Sequence, residues 1–272
     1  MKKSWITGAS ITGAMFGVLV AGSAMAADMP VKAPLMKPLP PAFSWTGCYL
    51  DAGVGYGMWN QDHDISSAPR GAVVPNTFNS IDTTNGGRGW LGRFGAGCDY
   101  QWSSSWVIGF LGDFDLMDLK GSLNTQLVNL AGDPTQGDEK ESSAWAVGAR
   151  IGYVIAPMVL GYVDGGWTET RFDQINIVSG LGRANGNAFP AHTYQGWFIG
   201  SGFEYNFTWL PIQGLFLRTE YRYSTFKRDD LTEFVIATGA PAGNAGFGNV
   251  LHAQKQVQTV TTSLVWRFNW FH

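Results

Sequence analysis

The sequence is short of charge: Asp, Glu, Lys and Arg make up 14% of its 272 residues, against about 25% in a typical soluble domain. It has two cysteines and four histidines, so at most one internal disulfide can form, and no Cys/His ligand spacing is visible. No basic patch interrupts a formal charge of -3, which leaves nothing suited to nucleic acid. After residue 26 there is no apolar run of the roughly 20 residues that a membrane helix needs. The best stretch, YVIAPMVLGYV at 153–163, is too short and is broken by Pro157.

Glycine and aromatics are abundant instead. There are 36 glycines, about twice the usual share, and aromatics reach 14% with 12 tryptophans. The first 26 residues carry Lys2 and Lys3, an apolar stretch from Ile6 to Ala21, and Ala24-Met25-Ala26 as a small-residue cleavage pattern. This predicts a secretory signal peptide over 1–26. Residues 27–42 are proline-rich without period and read as an extended periplasmic linker. An exported, charge-poor, Gly- and Trp-rich chain without a membrane helix points to an outer-membrane β-barrel over 43–272, where closure satisfies the backbone hydrogen bonds.

Alternation with period two supports this. The terminal VTTSLVWRFNWFH places Val260, Thr262, Leu264, Trp266, Phe268 and Trp270 on one face, and Arg267 among small polar residues on the other. Eight such segments are expected: 46–59, 89–103, 105–119, 143–155, 158–171, 194–208, 214–227 and 256–270. The connections alternate. Those at Ser104, at Ala156-Pro157 and from Trp209 to Gln213 are short; those at 60–88, 120–142, 172–193 and 228–255 are long. Short periplasmic turns and long external loops are the rhythm of an eight-stranded antiparallel up-and-down transmembrane barrel. Trp45, Trp102, Trp106, Trp209 and Trp270 are expected at the periplasmic aromatic girdle, and Trp59, Trp90, Trp145 and Trp167 towards the external one.

The opposite parity supplies the lumen. Arg93, Asp99, Asp113, Asp115, Arg150, Glu204, Arg218, Glu220, Arg222 and Arg267 are expected to form its charge network, since a charge facing lipid at mid-depth costs about 2–4 kcal/mol. Eight strands leave an interior just wide enough to fill with side chains, so a plug of ion pairs and a narrow polar pore are the two readings. Cys48 and Cys98 lie near the periplasmic ends of adjacent strands in an oxidising compartment; a cross-strand disulfide and two separate apolar-face thiols both remain open. His63, His192 and His252 map to external loops without ligand spacing, and no metal or cofactor is expected. GRFGAG at 92–97 is not a nucleotide fingerprint, because no helix follows it. No Ser/His pair can be placed near the outer rim, so no enzyme is expected.

FSWTGCYLDAGVGYG, WVIGFLGDFD, LGYVDGGW and the closing VWRFNWF resemble the small outer-membrane β-barrels of alphaproteobacteria, the outer-membrane immunogenic proteins. The resemblance spans residues 43–271 apart from the loops. It implies an abundant eight-stranded surface protein with a role in envelope integrity; relatives include porin-like and haemin-binding proteins. Two features depart from it: Cys48 and Cys98 stand where aromatic or aliphatic residues are expected, and His272 follows the aromatic Phe271 that would end a barrel-assembly signal. The expectation is a monomeric structural barrel in outer-membrane lipid. The alternatives are a narrow porin-like channel and a loop-mediated haem binder or adhesin meeting peptidoglycan or host surfaces.

Overall fold

The structure, a computed structural model, describes residues 43–66, 83–128, 134–206, 214–242 and 249–268. The expected signal peptide and linker lie outside these residues, as do Trp209 and Trp270. Eight long strands form a closed antiparallel ring: β1 (Gly47–Ser66), β2 (Thr83–Gln101), β3 (Trp106–Val128), β4 (Pro134–Ala156), β5 (Val159–Phe172), β8 (His192–Asn206), β9 (Leu215–Phe226) and β12 (Val250–Phe268). Each pairs with the next, and β12 returns to β1 over a continuous register from Cys48–Phe268 to Ser66–Val250. Closure leaves the ring without an edge. Each predicted strand forms one stave.

The outward faces mark the lipid belt. Leu50, Val54 and Met58 on β1, Phe94 and Tyr100 on β2, Phe110 and Phe114 on β3, and Val260 and Leu264 on β12 are all exposed. In water such a surface would invite association; in hydrocarbon it is the favourable solvent contact. Trp102 and Trp106 border the belt below, with Trp106 edge-on to Tyr153 at 5.2 Å. Trp90, Trp145 and Trp167 border it above, with Trp90 edge-on to Tyr56 at 5.3 Å.

Two girdle assignments are corrected. Trp45 and Trp59 point inward and are buried. Both share the parity of Tyr49, which the ring closure turns inward. Trp59 lies opposite Gly87, which in turn lies opposite Gly121; without side chains there, the indole has room in the lumen. Its Nε1 donates to the Leu119 carbonyl at 3.3 Å. Trp45 packs on Phe43 and Phe216, with ring centroids 5.2 and 5.1 Å away.

The long external connections are also corrected, because much of them is sheet. β1 runs on to Ser66, β3 to Val128 and β4 starts at Pro134. Four short strands add to them: β6 (Ile175–Ser179), β7 (Ala184–Phe189), β10 (Asp229–Thr232) and β11 (Phe234–Val235). β6 pairs with β4, β7 with β6, β11 with β7 and β10 with β12. Beyond the lipid a strand's outer face is polar, so apolar alternation stops while the hydrogen-bond ladder continues. In β4 a register shift between Glu141 and Ser143 also breaks the period. Glu139 and Glu141 below the shift in sequence, and Ala146 and Arg150 after it, are all buried despite their opposite parities.

The interior is stacked in three layers. An apolar cluster of Trp45, Tyr49, Val107, Leu160, Phe216 and Val265 closes the periplasmic end. A charged layer follows. A larger apolar cluster, including Trp59, Leu119, Phe172, Tyr194, Phe226 and Leu251, lies above it and continues into the projecting sheet. Glycine makes the charged layer fit: a Cβ on Gly202 would lie 2.6 Å from the Tyr162 hydroxyl oxygen. Gly202→Leu is therefore expected to displace Tyr162 and to destabilise the refolded barrel by about 1–3 kcal/mol. A urea unfolding series in lipid vesicles measures this, and an unchanged midpoint would contradict the packing described.

Candidate functional site

The charged layer is built from inward positions of all eight staves. Arg93 of β2 donates to both Asp115 oxygens, each at 2.8 Å, and to Glu220 at 2.8 Å. Arg222 of β9 holds Asp113 in the same two-pronged way, at 2.8 Å for each bond, and reaches Glu220 at 3.1 Å. Such planar pairs are stronger and more directional than single-point contacts. Glu204 of β8 accepts from three guanidiniums: Arg150 at 2.7 Å, Arg218 at 2.9 Å and Arg267 at 2.6 Å. Arg150 and Arg267 also meet Asp99, and Arg218 meets Asp51 at 2.9 Å. The ten charges expected in the lumen thus form one layer of two ion-paired groups, centred on Glu220 and on Glu204.

Sequence reasoning missed four of its members. Asp51 and Asp164 share the inward parity of their strands and could have been found by extending the face count. Tyr49 and Tyr162 carry no charge and were not counted among the lumen residues. Tyr162 donates to Glu220 at 2.8 Å. The Tyr49 ring lies 4.5 Å from the Arg218 guanidinium and 4.7 Å from that of Arg150, within cation–π range. The five arginines face seven carboxyl groups: Asp51, Asp99, Asp113, Asp115, Asp164, Glu204 and Glu220. Above the network a cavity of about 10 Å³ touches Asp113, Glu141, Thr168 and Arg222, room for roughly one water.

A second buried polar group, one that sequence reasoning missed, lies above the lipid belt. Lys255 is buried among Trp59, Phe172 and Tyr194, its Nζ 3.8 Å from the Phe172 ring centroid. It pairs with Glu139 and Gln61. Burial lowers its pKa, and Glu139 opposes that shift. Glu141 accepts from Thr170 at 2.6 Å. Burial pushes its pKa up to about 8, against the opposing Thr170 bond and Lys255 charge.

Cys48 and Cys98 face one another across β1 and β2 and are joined by a disulfide. It lies on the outer face near the periplasmic end, away from the charged layer. The histidines are corrected from loops to strands, and they fall into separate networks. His63 is buried on β1 and bonds the Asn124 carbonyl at 3.0 Å. His192 opens β8 and meets Asp229 at 3.1 Å. His252 on β12 bonds Asp230 through Nδ1 at 2.5 Å and Ser66 through Nε2 at 3.0 Å. A Ser/His pair therefore does exist towards the outer rim, contrary to expectation, and in the order of a nucleophilic triad. Ser66 and His252 are both buried; the three side chains tie β1, β12 and β10 together.

Two outcomes follow from these clusters. Glu204→Gln leaves three buried guanidiniums around a neutral amide, and is expected to destabilise the barrel by about 3–5 kcal/mol in vesicle-based urea unfolding. Glu141 has a raised folded-state pKa, so its favourable contribution is complete below its ordinary value and is lost as pH rises towards about 8. The wild-type barrel is expected to lose stability relative to Glu141→Gln between pH 5 and 8, by on the order of a few kcal/mol. Parallel pH profiles of the two proteins would contradict the burial of an ionisable Glu141.

Comparison with known proteins agrees with this architecture. Residues 14–268 match the family described as outer membrane protein beta-barrel domain. The 31 kDa outer-membrane immunogenic proteins of Brucella melitensis and Brucella suis are each 29% identical over 233 residues, covering 82% of this chain and 90% of theirs. The crystal structure of OprG from Pseudomonas aeruginosa is similar in fold, with a TM-score of 0.51 at 12% identity, covering 82% of this chain and 97% of that one. The belt, the closed ring and the match over nearly the whole chain lead to one conclusion: this chain belongs to the outer-membrane β-barrel protein family and is embedded in the lipid of the outer membrane.

Proposed function

We propose that this protein is a sealed structural barrel that strengthens the outer membrane and displays its projecting sheet at the cell surface. The observation that carries this reading is the layering of the lumen. The ion-paired network is bounded below by Trp45, Tyr49 and Phe216 and above by Trp59, Phe172 and Tyr194, all buried. An ion crossing it would have to shed its water in two apolar layers and break two-pronged arginine–carboxylate pairs between them. A narrow pore lined by Arg218, Arg222, Glu220 and Asp113 has no such obstruction, so the layering favours the plug over the channel.

The display part of the reading rests on the strands that continue above the upper girdle and on the immunogenic character named for the Brucella relatives. The separate engagement of His63, His192 and His252 favours this over haem binding by the three together.

Conductance in a planar bilayer tests the sealed barrel. Folded, inserted protein is expected to give no discrete steps, and Arg222→Ala is expected to stay silent because both apolar layers remain. Steps in the wild type whose ion selectivity changes in Arg222→Ala would replace this reading with the pore.

A further inference from the structure

The Cys48–Cys98 bond is set deep in the lipid-facing wall. Both residues have the outward parity of their strands and stand directly opposite one another. Their neighbours on that wall face lipid: Leu50 on β1, Tyr100 on β2, and Phe110, which lies opposite Cys98 on β3, are all exposed. Two tryptophans of the lower girdle give the depth. Cys98 stands four residues inside Trp102, and Phe110 four residues inside Trp106. With a rise of about 3.3 Å per residue and a strand tilt of about 40°, the bond lies about 10 Å inside the hydrocarbon. The lumen offers no second approach, because Tyr49 beside Cys48 and Asp99 beside Cys98 point inward and are buried.

This is a poor place in which to make a disulfide. A thiolate must attack a disulfide of the oxidant, and a second thiolate must resolve the mixed intermediate. The two thiols lose two protons and two electrons; the oxidant's disulfide takes up both and leaves as a dithiol. A thiolate is an ion, and an unpaired ion in an apolar medium is far costlier than the neutral thiol. Leu50, Tyr100 and Phe110 carry no positive charge to hold it. Lipid also keeps a soluble oxidant away from the wall. In the unfolded chain both obstacles are absent. The sequence has two cysteines, which allow one internal pairing, so the native bond can close without a native fold to select it.

We infer that the unfolded exported chain is the substrate of a soluble dithiol–disulfide oxidoreductase of the periplasm, and that the Cys48–Cys98 bond is closed before the barrel enters the membrane. The bond joins positions 50 residues apart in the sequence. It delivers β1 and β2 to the membrane already tied at the pair that stands opposite in the finished sheet, where a slip of one residue would turn every side chain to the wrong face. The inference goes beyond the sealed-lumen reading and is independent of it, since a conducting barrel could be stapled in the same order.

The test follows thiols in the full barrel. Wild-type chain is reduced in urea and freed of reductant; one sample is folded into phosphatidylcholine vesicles and the other stays in urea. Both receive oxidised glutathione, a charged and soluble disulfide, at about pH 8, where a free thiol is partly ionised. Remaining thiols are counted by maleimide mass shift after denaturation, and insertion is checked by protease resistance. The chain in urea is expected to lose its thiols, and the inserted barrel to lose them slower by on the order of 100-fold. In the reverse experiment the oxidised barrel in vesicles is expected to keep its bond in a charged phosphine reductant and to lose it once unfolded. Equal oxidation rates in vesicles and urea would overturn the inference, by showing that the bond can be made after insertion. So would an oxidised chain that fails to insert where the reduced chain succeeds. A reduced chain that fails to insert where the oxidised chain succeeds would support it.

Discussion

The structure depends on neutralising charge inside a space with little room for water. An eight-stranded ring admits side chains and little else, and its lipid-facing wall must be apolar, so the polar residues of every strand are driven to the same narrow interior. There each charge must find a partner or impose a desolvation penalty of several kcal/mol. Glu204, with arginines from β4, β9 and β12 converging on it, is the centre of the solution. The glycines of the facing strands, the inward tyrosines and the two apolar layers follow from fitting that cluster into the ring. The seal proposed for the lumen is a by-product of the same packing.

The alternation of apolar and polar residues made the ring legible in the sequence, and the strength of that signal came from lipid. Inside the belt the outer face must be apolar, so strands such as β2 and β9 announce themselves and their inward charges can be counted. Outside the belt the outer face is polar, and polar residues such as Gln61, Glu139 and Lys255 also stand on the buried inner face, so the signal disappears although the strands continue. The upper halves of β3 and β4 therefore read as loop, and Lys255, Glu139 and Glu141 went unnoticed. The register shift near Ser142 adds to this by turning both parities inward within one strand.

Tryptophan shows a different limit. Its enrichment at interfaces is a tendency of position along the barrel, whereas inside or outside is decided by parity. Trp102 and Trp106 satisfy both and lie in the girdle. Trp45 and Trp59 stand at girdle height with inward parity, and parity prevails, because the backbone leaves them no other direction. The histidines were misplaced for a related reason: a polar residue beyond the belt looks like loop whether or not it sits in a ladder. The Ser66–His252–Asp230 contact could not be seen, since its Ser66–His252 arm joins residues 186 apart in the sequence.

The closing seam serves both buried polar groups at once. β12 meets β1 only when the ring shuts, and it brings Arg267 to Glu204 and Asp99, and Lys255 to Glu139. A sheet of the other seven staves would hold Glu204 short of one arginine and Glu139 without its ammonium. Both missing partners come from one strand, at two heights along the seam. Pairing of β12 with β1 therefore fastens the ring at two heights, through backbone hydrogen bonds and through the partners it brings to both buried polar groups.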